Sequence, residues 1–298
     1  MDKVKEFYSG RYHIIILLIT VNPMRFFLLM KDQYSGMILC TAQISPCWQS
    51  PEETMAKIRL KVAEAVEYDA SFIAFPEQIP TGWDPGDSVM GVQSEDDTII
   101  SQFKECARDF SIGILGSYRE YHYPHPRNTA VSISPEGQVL AKYSKIHLFS
   151  PGGENIFYDP GEDLGIFTID GCKCGIGICY DLRFADLFRL YRKSGVHLML
   201  VPSAWPSARM RHFSLFSMAR AAEFQMYVAG INTVGITPVD SYSGGSLIVD
   251  PTGTVISKGS DQEELLFTDI SPGFVEEVRE GFEVYKDRKD DIYQKCDF

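Results

Sequence analysis

From Met37 onward, short apolar runs alternate with stretches of helical periodicity, and that alternation leaves few architectures open to the chain. Met37-Ile38-Leu39-Cys40-Thr41-Ala42-Gln43 reads as a strand, and a helix is expected over residues 50–68. Ser50 is placed to cap that helix, Pro51 suits its first position, and Glu53 completes a capping box. Ile58, Val62, Ala65 and Val66 then recur at helical spacing. Ser71-Phe72-Ile73-Ala74-Phe75-Pro76 is too continuously apolar to have a wet face, so it is expected as a strand covered on both sides. A helix over 99–110 leads to a strand over 113–121. Pro135-Glu136-Gly137-Gln138 then joins strands at 129–134 and 139–145 as a hairpin.

The second half repeats this style without repeating the sequence. Strands are expected at 165–169, 173–179, 197–202 and 227–233, with helices at 184–194 and 213–224. Strands 246–249 and 255–258 flank a second turn, Pro251-Thr252-Gly253. Interleaved strands and helices predict layered α/β architecture, and the hairpins add antiparallel pairs to make the sheets mixed. No Gly/Ser linker or long like-charge run divides residues 37–298, so they read as one domain.

Residues 1–36 read differently, as an apolar N-terminal extension. The run at 13–30 is a little short for a membrane span of about 20 residues. Asn22, Pro23 and Arg25 interrupt it, the arginine costing ~2.5–3.5 kcal/mol at a helix centre. No small-residue cleavage site marks a signal peptide. An appendage is the preferred reading, and membrane contact through 13–30 the less favoured one. A formal charge of -12 argues against a nucleic-acid binder, which would present a basic stripe. Seven scattered cysteines do not make a disulfide framework and suggest a reducing, cytoplasmic setting. Cys172, Cys174 and Cys179 lack the CxxC spacing and nearby histidine of a zinc site, so no metal is expected.

Three motifs carry chemistry. In Phe75-Pro76-Glu77 a carboxylate follows an apolar strand, where partial desolvation would raise its pKa toward that of a general base. A solvated loop glutamate is the plain alternative. Lys145, in Lys142-Tyr143-Ser144-Lys145-Ile146-His147, ends a strand where a fixed positive charge could face an oxyanion; most lysines are simply solvated. His147 is expected to be packed behind the site rather than catalytic. Cys174-Gly175-Ile176-Gly177-Ile178-Cys179-Tyr180-Asp181-Leu182-Arg183-Phe184 runs strand, sharp turn, helix, as a nucleophile elbow does. A buried structural cysteine is the alternative. A dinucleotide loop fails because Tyr180 occupies the third glycine position.

Together Glu77, Lys145 and Cys179, spaced by 68 and 34 residues, resemble the nitrilase superfamily of carbon–nitrogen hydrolases. The resemblance extends to Lys-Ile-His-Leu-Phe (145–149), Ile-Cys-Tyr-Asp-Leu-Arg-Phe (178–184), Ala-Arg-Ala-Ala-Glu-Phe-Gln (219–225) and the segment 287–293. It implies a four-layer αββα sandwich with two mixed β-sheets, assembled as a homodimer or higher homo-oligomer. By position it implies Cys179 as nucleophile, Glu77 as general base, and Lys145 with the Tyr180 amide as oxyanion donors. Glu154 matches a second glutamate that orients substrate and water, with Glu162 the weaker match. The implied route passes through a thioester and needs no metal or organic cofactor.

The implied substrate is a small-molecule amide. Trp205-Pro206-Ser207-Ala208-Arg209-Met210-Arg211-His212-Phe213 resembles the ω-amidase branch, which deamidates short dicarboxylic monoamides. Trp205 would wall the pocket, and Arg209 or Arg211 would attract a distal carboxylate. Both arginines could instead be surface salt-bridge formers. An N-carbamoyl amide hydrolase is the alternative, then a nitrilase, then a non-catalytic scaffold on the same fold. Ala185, Phe213 and Phe224 depart from the family's commonest pattern near the pocket, which leaves substrate identity open.

Overall fold

The computed structural model describes residues 36–86, 92–93 and 98–295, so the expected extension lies outside the described residues except for Gly36. In the first half, strand β1 (Met37–Gln43) is followed by helix α1 (Pro51–Glu67), β2 (Phe72–Ala74), β3 (Val92–Gln93) and α2 (Thr98–Phe110). Then come β4 (Gly113–Glu120), β5 (Arg127–Ile133), β6 (Val139–Ser144) and the short α3 (Glu154–Phe157). The second half runs β7 (Gly165–Ile169), β8 (Cys172–Ile176), α4 (Ala185–Lys193), β9 (Leu198–Ser203) and α5 (Met210–Phe224). It continues with β10 (Tyr227–Asn232), β11 (Val234–Ile236), β12 (Ser241–Ser243), β13 (Leu247–Val249) and β14 (Val255–Lys258). The last elements are β15 (Glu264–Ile270), α6 (Pro272–Gly281) and α7 (Asp290–Lys295).

Two mixed sheets result. The first has the order β15-β1-β2-β4-β5-β6, with β3 beside β4; the second has the order β14-β13-β10-β9-β8-β7. β1, β2 and β4 run parallel, as do β8, β9 and β10, while the hairpin strands add antiparallel partners. Strand alternation divides the core. On β1 and β2, Leu39, Phe72 and Ala74 face the second sheet, and Phe72 stacks on Phe167 across the gap at 5.6 Å. Cys40, Ala42 and Ile73 face the other way, onto Ile58, Val62 and Phe103 of α1 and α2. Phe188, Tyr191, Phe213 and Phe224 of α4 and α5 cover the second sheet. The layers are therefore α, β, β, α.

The α1 start departs from the expected capping box, because Ser50 makes no side-chain cap bond. Thr54 Oγ1 closes this end instead, accepting from the Cys47 amide at 2.9 Å and donating to the Ser50 carbonyl at 3.1 Å. Among the described residues no helix is long and apolar enough to cross a membrane, and no group of three or more metal-ligating side chains is arranged to hold an ion. The six described cysteines are free thiols.

Candidate active site

Strands of both sheets end on one pocket. Past β2, Phe75 and Pro76 carry the chain to Glu77, and the following Gln78 adopts a left-handed φ of 46°. The Gln78 amide donates to Ser117 Oγ at 3.0 Å and pins that turn to β4. Lys145 is the first residue past β6, and Glu154 opens α3. Cys179 begins the 3-10 turn Cys179–Arg183 just beyond β8, with φ of 45°. A left-handed non-glycine residue stores strain of roughly 1–3 kcal/mol, and such strain gathers where a side chain must be aimed.

Asp181 braces the elbow from behind. Its buried carboxylate accepts the Ile178 amide at 2.9 Å, the Tyr143 hydroxyl at 2.7 Å and the His147 amide at 3.0 Å. His147 Nδ1 lies 2.8 Å from the same carboxylate while its ring stacks on Phe184 at 3.7 Å. His147 is thus packed behind the elbow, as its position past the end of β6 suggested.

The front of the elbow meets a buried charge cluster. Lys145 Nζ lies 2.8 Å from Glu77 Oε1 and 2.9 Å from Glu154 Oε2, and all three side chains are at most 1% exposed. Asn128 Nδ2 donates to both carboxylates, at 2.7 Å and 2.9 Å. The Ala204 amide donates to Glu77 Oε2 at 2.9 Å, while the Phe149 amide and Trp83 Nε1 donate to Glu154 at 2.6 Å and 3.3 Å. Glu77 and Lys145 are the charged groups that act on the neighbouring Cys179 thiol. Glu162 is exposed, so Glu154 is the second glutamate at this cluster.

One ammonium cannot balance two buried carboxylates, and the environment separates them. Burial and the charge of Glu154 push Glu77 above the usual carboxylate range against the pull of Lys145. Burial also acts on Glu154, but Lys145 and the Phe149 amide outweigh it and hold this carboxyl below that range. Lys145 is raised well above the usual lysine value, since Glu154 and Glu77 outweigh its burial. Burial and Glu77 hold Cys179 as a thiol, well above the usual cysteine value. A thiol beside a carboxylate with a raised pKa is an arrangement that can serve as a nucleophile and its general base.

Trp83, Phe149, Tyr180, Trp205 and Pro206 wall the pocket above Cys179, a cleft of about 400 Å³ including open solvent. Arg209 lines it, with its guanidinium 5.3 Å from the Phe149 ring. Arg211 is exposed and lines a separate groove with Lys258 and Ser260. Three contributors lack a signal as clear as the strand-end motifs. Arg183 lines the pocket and packs over Trp205 at 4.8 Å; it lies inside the elbow motif, so its position was legible but its direction was not. Asp240 reaches the pocket from the β11–β12 loop. Asn128 gave no such signal, because it stands near the start of β5 between polar Arg127 and Thr129 and its partners are distant in sequence.

Comparison with known proteins agrees with this geometry. The family described as carbon-nitrogen hydrolase matches residues 39–280. An omega-amidase of Xenopus tropicalis is 33% identical over 248 residues, covering 78% of this chain and 88% of the relative. A 2-oxoglutaramate amidase of Bacillus subtilis (strain 168) is 29% identical over 252 residues, covering 84% and 97%. Among solved structures, a mutant amidase from Nesterenkonia sp. AN1 superposes with a TM-score of 0.79 at 25% identity, covering 88% of this chain and 97% of that one. In that structure the acetamide moiety of fluoroacetamide is covalently attached to the active-site cysteine.

Proposed function

The chain belongs to the carbon–nitrogen hydrolase family, on the ω-amidase-like branch of the nitrilase superfamily, and from that premise we propose that it hydrolyses short monoamides bearing a distal carboxylate to the diacid and ammonia. One observation carries the mechanism: Glu77, paired with Lys145 at 2.8 Å, lies beside the Cys179 thiol on the pocket floor, close enough to act on its proton. Ionised Glu77 takes the thiol proton as Sγ attacks the amide carbon. The carbonyl oxygen becomes an oxyanion held by the Lys145 ammonium and the Tyr180 amide. Tyr180 precedes the first internal bond of its turn, Asp181 N–H to the Ile178 carbonyl at 3.0 Å, so its own amide is not the donor in that bond. As the tetrahedral centre collapses the C–N bond breaks, Glu77 returns its proton to the nitrogen, and ammonia leaves a thioester on Cys179. Glu77 then takes a proton from water, hydroxide adds to the thioester, and the acid departs as Sγ is reprotonated. Glu154, kept ionised, orients Lys145 and the attacking water.

Substrate choice rests on the pocket mouth. Arg209 and Arg183 both line it, and among the described residues neither is in a salt bridge with a carboxylate. Two guanidiniums facing one cleft in a chain of net charge -12 suit a carboxylate at the far end of the substrate. The test is ammonia release from a panel of short amides with and without a distal carboxylate, alongside carbamoyl amino acids and nitriles. The expected preference is for the carboxylated amide, with turnover abolished by Cys179→Ala and KM for that amide raised about tenfold by Arg209→Ala. Equal rates with and without the carboxylate would remove the substrate assignment, and carbon dioxide released with ammonia would indicate a carbamoyl amide instead. Unchanged turnover in Cys179→Ala would remove the mechanism.

A further inference from the structure

Asn128 has no part in the chemistry just described, yet it hydrogen-bonds to all three residues of the charge cluster on the pocket floor. It sits near the start of β5 and is fully buried. Its backbone carbonyl accepts the Lys145 amide at 2.8 Å. The same residue's Nδ2 donates to Glu77 Oε1 at 2.7 Å and to Glu154 Oε1 at 2.9 Å, so one NH2 group serves two carboxylates. The other end of the amide is left over: Oδ1 is buried without a hydrogen-bond partner among the described residues. An unpaired buried oxygen is unfavourable, and an apolar side chain of like volume would avoid it. The donor end of the amide faces the carboxylates, where an oxygen would be repelled.

We propose that Asn128 is the positioning residue of this site, its single NH2 group fixing Glu77 and Glu154 around Lys145 and keeping Glu77 ionised as the base. The inference rests on the assignment of Glu77 and Cys179 above. Two carboxylates about one ammonium leave an uncompensated negative charge, which favours protonating one of them. A neutral donor on each carboxylate opposes this without adding a second cation that would compete with Lys145. The groups facing Glu77 are Lys145 from the end of β6, Glu154 from α3, Cys179 from the elbow and Tyr242 from β12. Among these charged and titratable groups Lys145 favours the ionised base, whereas Glu154 opposes it. Removing the Asn128 donor therefore tips the balance toward protonated Glu77.

The experiment needs no substrate. Alkylation of Cys179 by iodoacetamide is followed by mass as a function of pH in the full chain, in Asn128→Leu and in Asn128→Asp. Both variants keep the branched four-atom side-chain skeleton of asparagine, and both remove its NH2 donors. In the unsubstituted protein the rate is expected to rise as Glu77 loses its proton. In Asn128→Leu the midpoint of that rise should move up by about one pH unit, the scale of one lost hydrogen bond to a charged group, slowing alkylation about tenfold below the midpoint, and in Asn128→Asp the added acid should move it up at least as far. A midpoint unmoved in the folded variants overturns the inference and leaves the proposed chemistry standing. If the unsubstituted protein shows no pH-dependent alkylation of Cys179, both fail.

Discussion

Glu77 and Glu154 are the same kind of side chain in the same buried chamber, and they differ in what surrounds them. Glu154 has the Phe149 amide at 2.6 Å and Lys145 at 2.9 Å, so its negative charge is well compensated. Glu77 shares Lys145 and stands next to Glu154, which favours its neutral form. The consequence is a pH dependence with a definite sign. A base acts when ionised, so kcat/KM should rise with pH through the raised pKa of Glu77, with a midpoint above the ordinary value of 4.5. Lys145 is held well above its usual 10.5 and should impose no loss in the neutral range. A pH profile of kcat/KM checks this; a midpoint at or below 4.5 would remove Glu77 as the base.

The element that matters most is the elbow after β8. Gly175 lets β8 lie close to its neighbours, for a Cβ there would come within 2.6 Å of Met199 Sδ and 2.7 Å of Tyr191 Cδ1. The left-handed Cys179 then turns the chain, and Asp181 ties that turn to β6 through Tyr143 and to the next loop through His147. The lysine strand and the cysteine strand are thereby held in one relative position. Asp181→Asn turns one carboxylate oxygen into a donor facing other donors. It should lower stability by roughly 2–4 kcal/mol and reduce kcat, as melting and turnover measurements would show. An unchanged Tm would mean that the brace contributes nothing.

At the scale of the whole molecule, two sheets, built from different halves of the chain apart from β15, are pressed together so that their strand ends open on one cleft. Glu77 and Lys145 come from the first sheet, Cys179 and the Ala204 amide from the second. The first sheet is completed by β15, which pairs with β1 from Met37↔Ile270 to Gln43↔Glu264 and so joins the two ends of the described chain. Every residue placed at the site lies between residues 77 and 242. A chain beginning at Gly36 is therefore expected to keep kcat/KM within about twofold, because it retains every residue placed at the site. A tenfold loss in the same ammonia assay would assign residues 1–35 a share in the pocket.

Much of this was legible in the sequence because its determinants are local. Strand and helix periodicities placed most elements within a few residues, since burial on one or both faces is written into successive side chains. Gly137 and Gly253 marked the two hairpins because only a left-handed turn residue lets the paired strands reverse there. The Glu77, Lys145 and Cys179 motifs stood out for a similar reason: each combines an apolar strand with a polar residue at its end. β15 carried weaker signals, because a half-covered strand reads like an exposed one. Contacts across the sandwich could not be read at all. The opposite pKa shifts of Glu77 and Glu154, the two-way donation by Asn128, and the choice of Arg209 and Arg183 over Arg211 at the pocket all depend on distances between residues far apart in the chain. Sequence alone determined which groups could do chemistry and the ends of the strands that carry them. Tertiary packing decided which of those groups share a buried volume, and charge in a low-dielectric space responds to neighbours in space rather than in sequence.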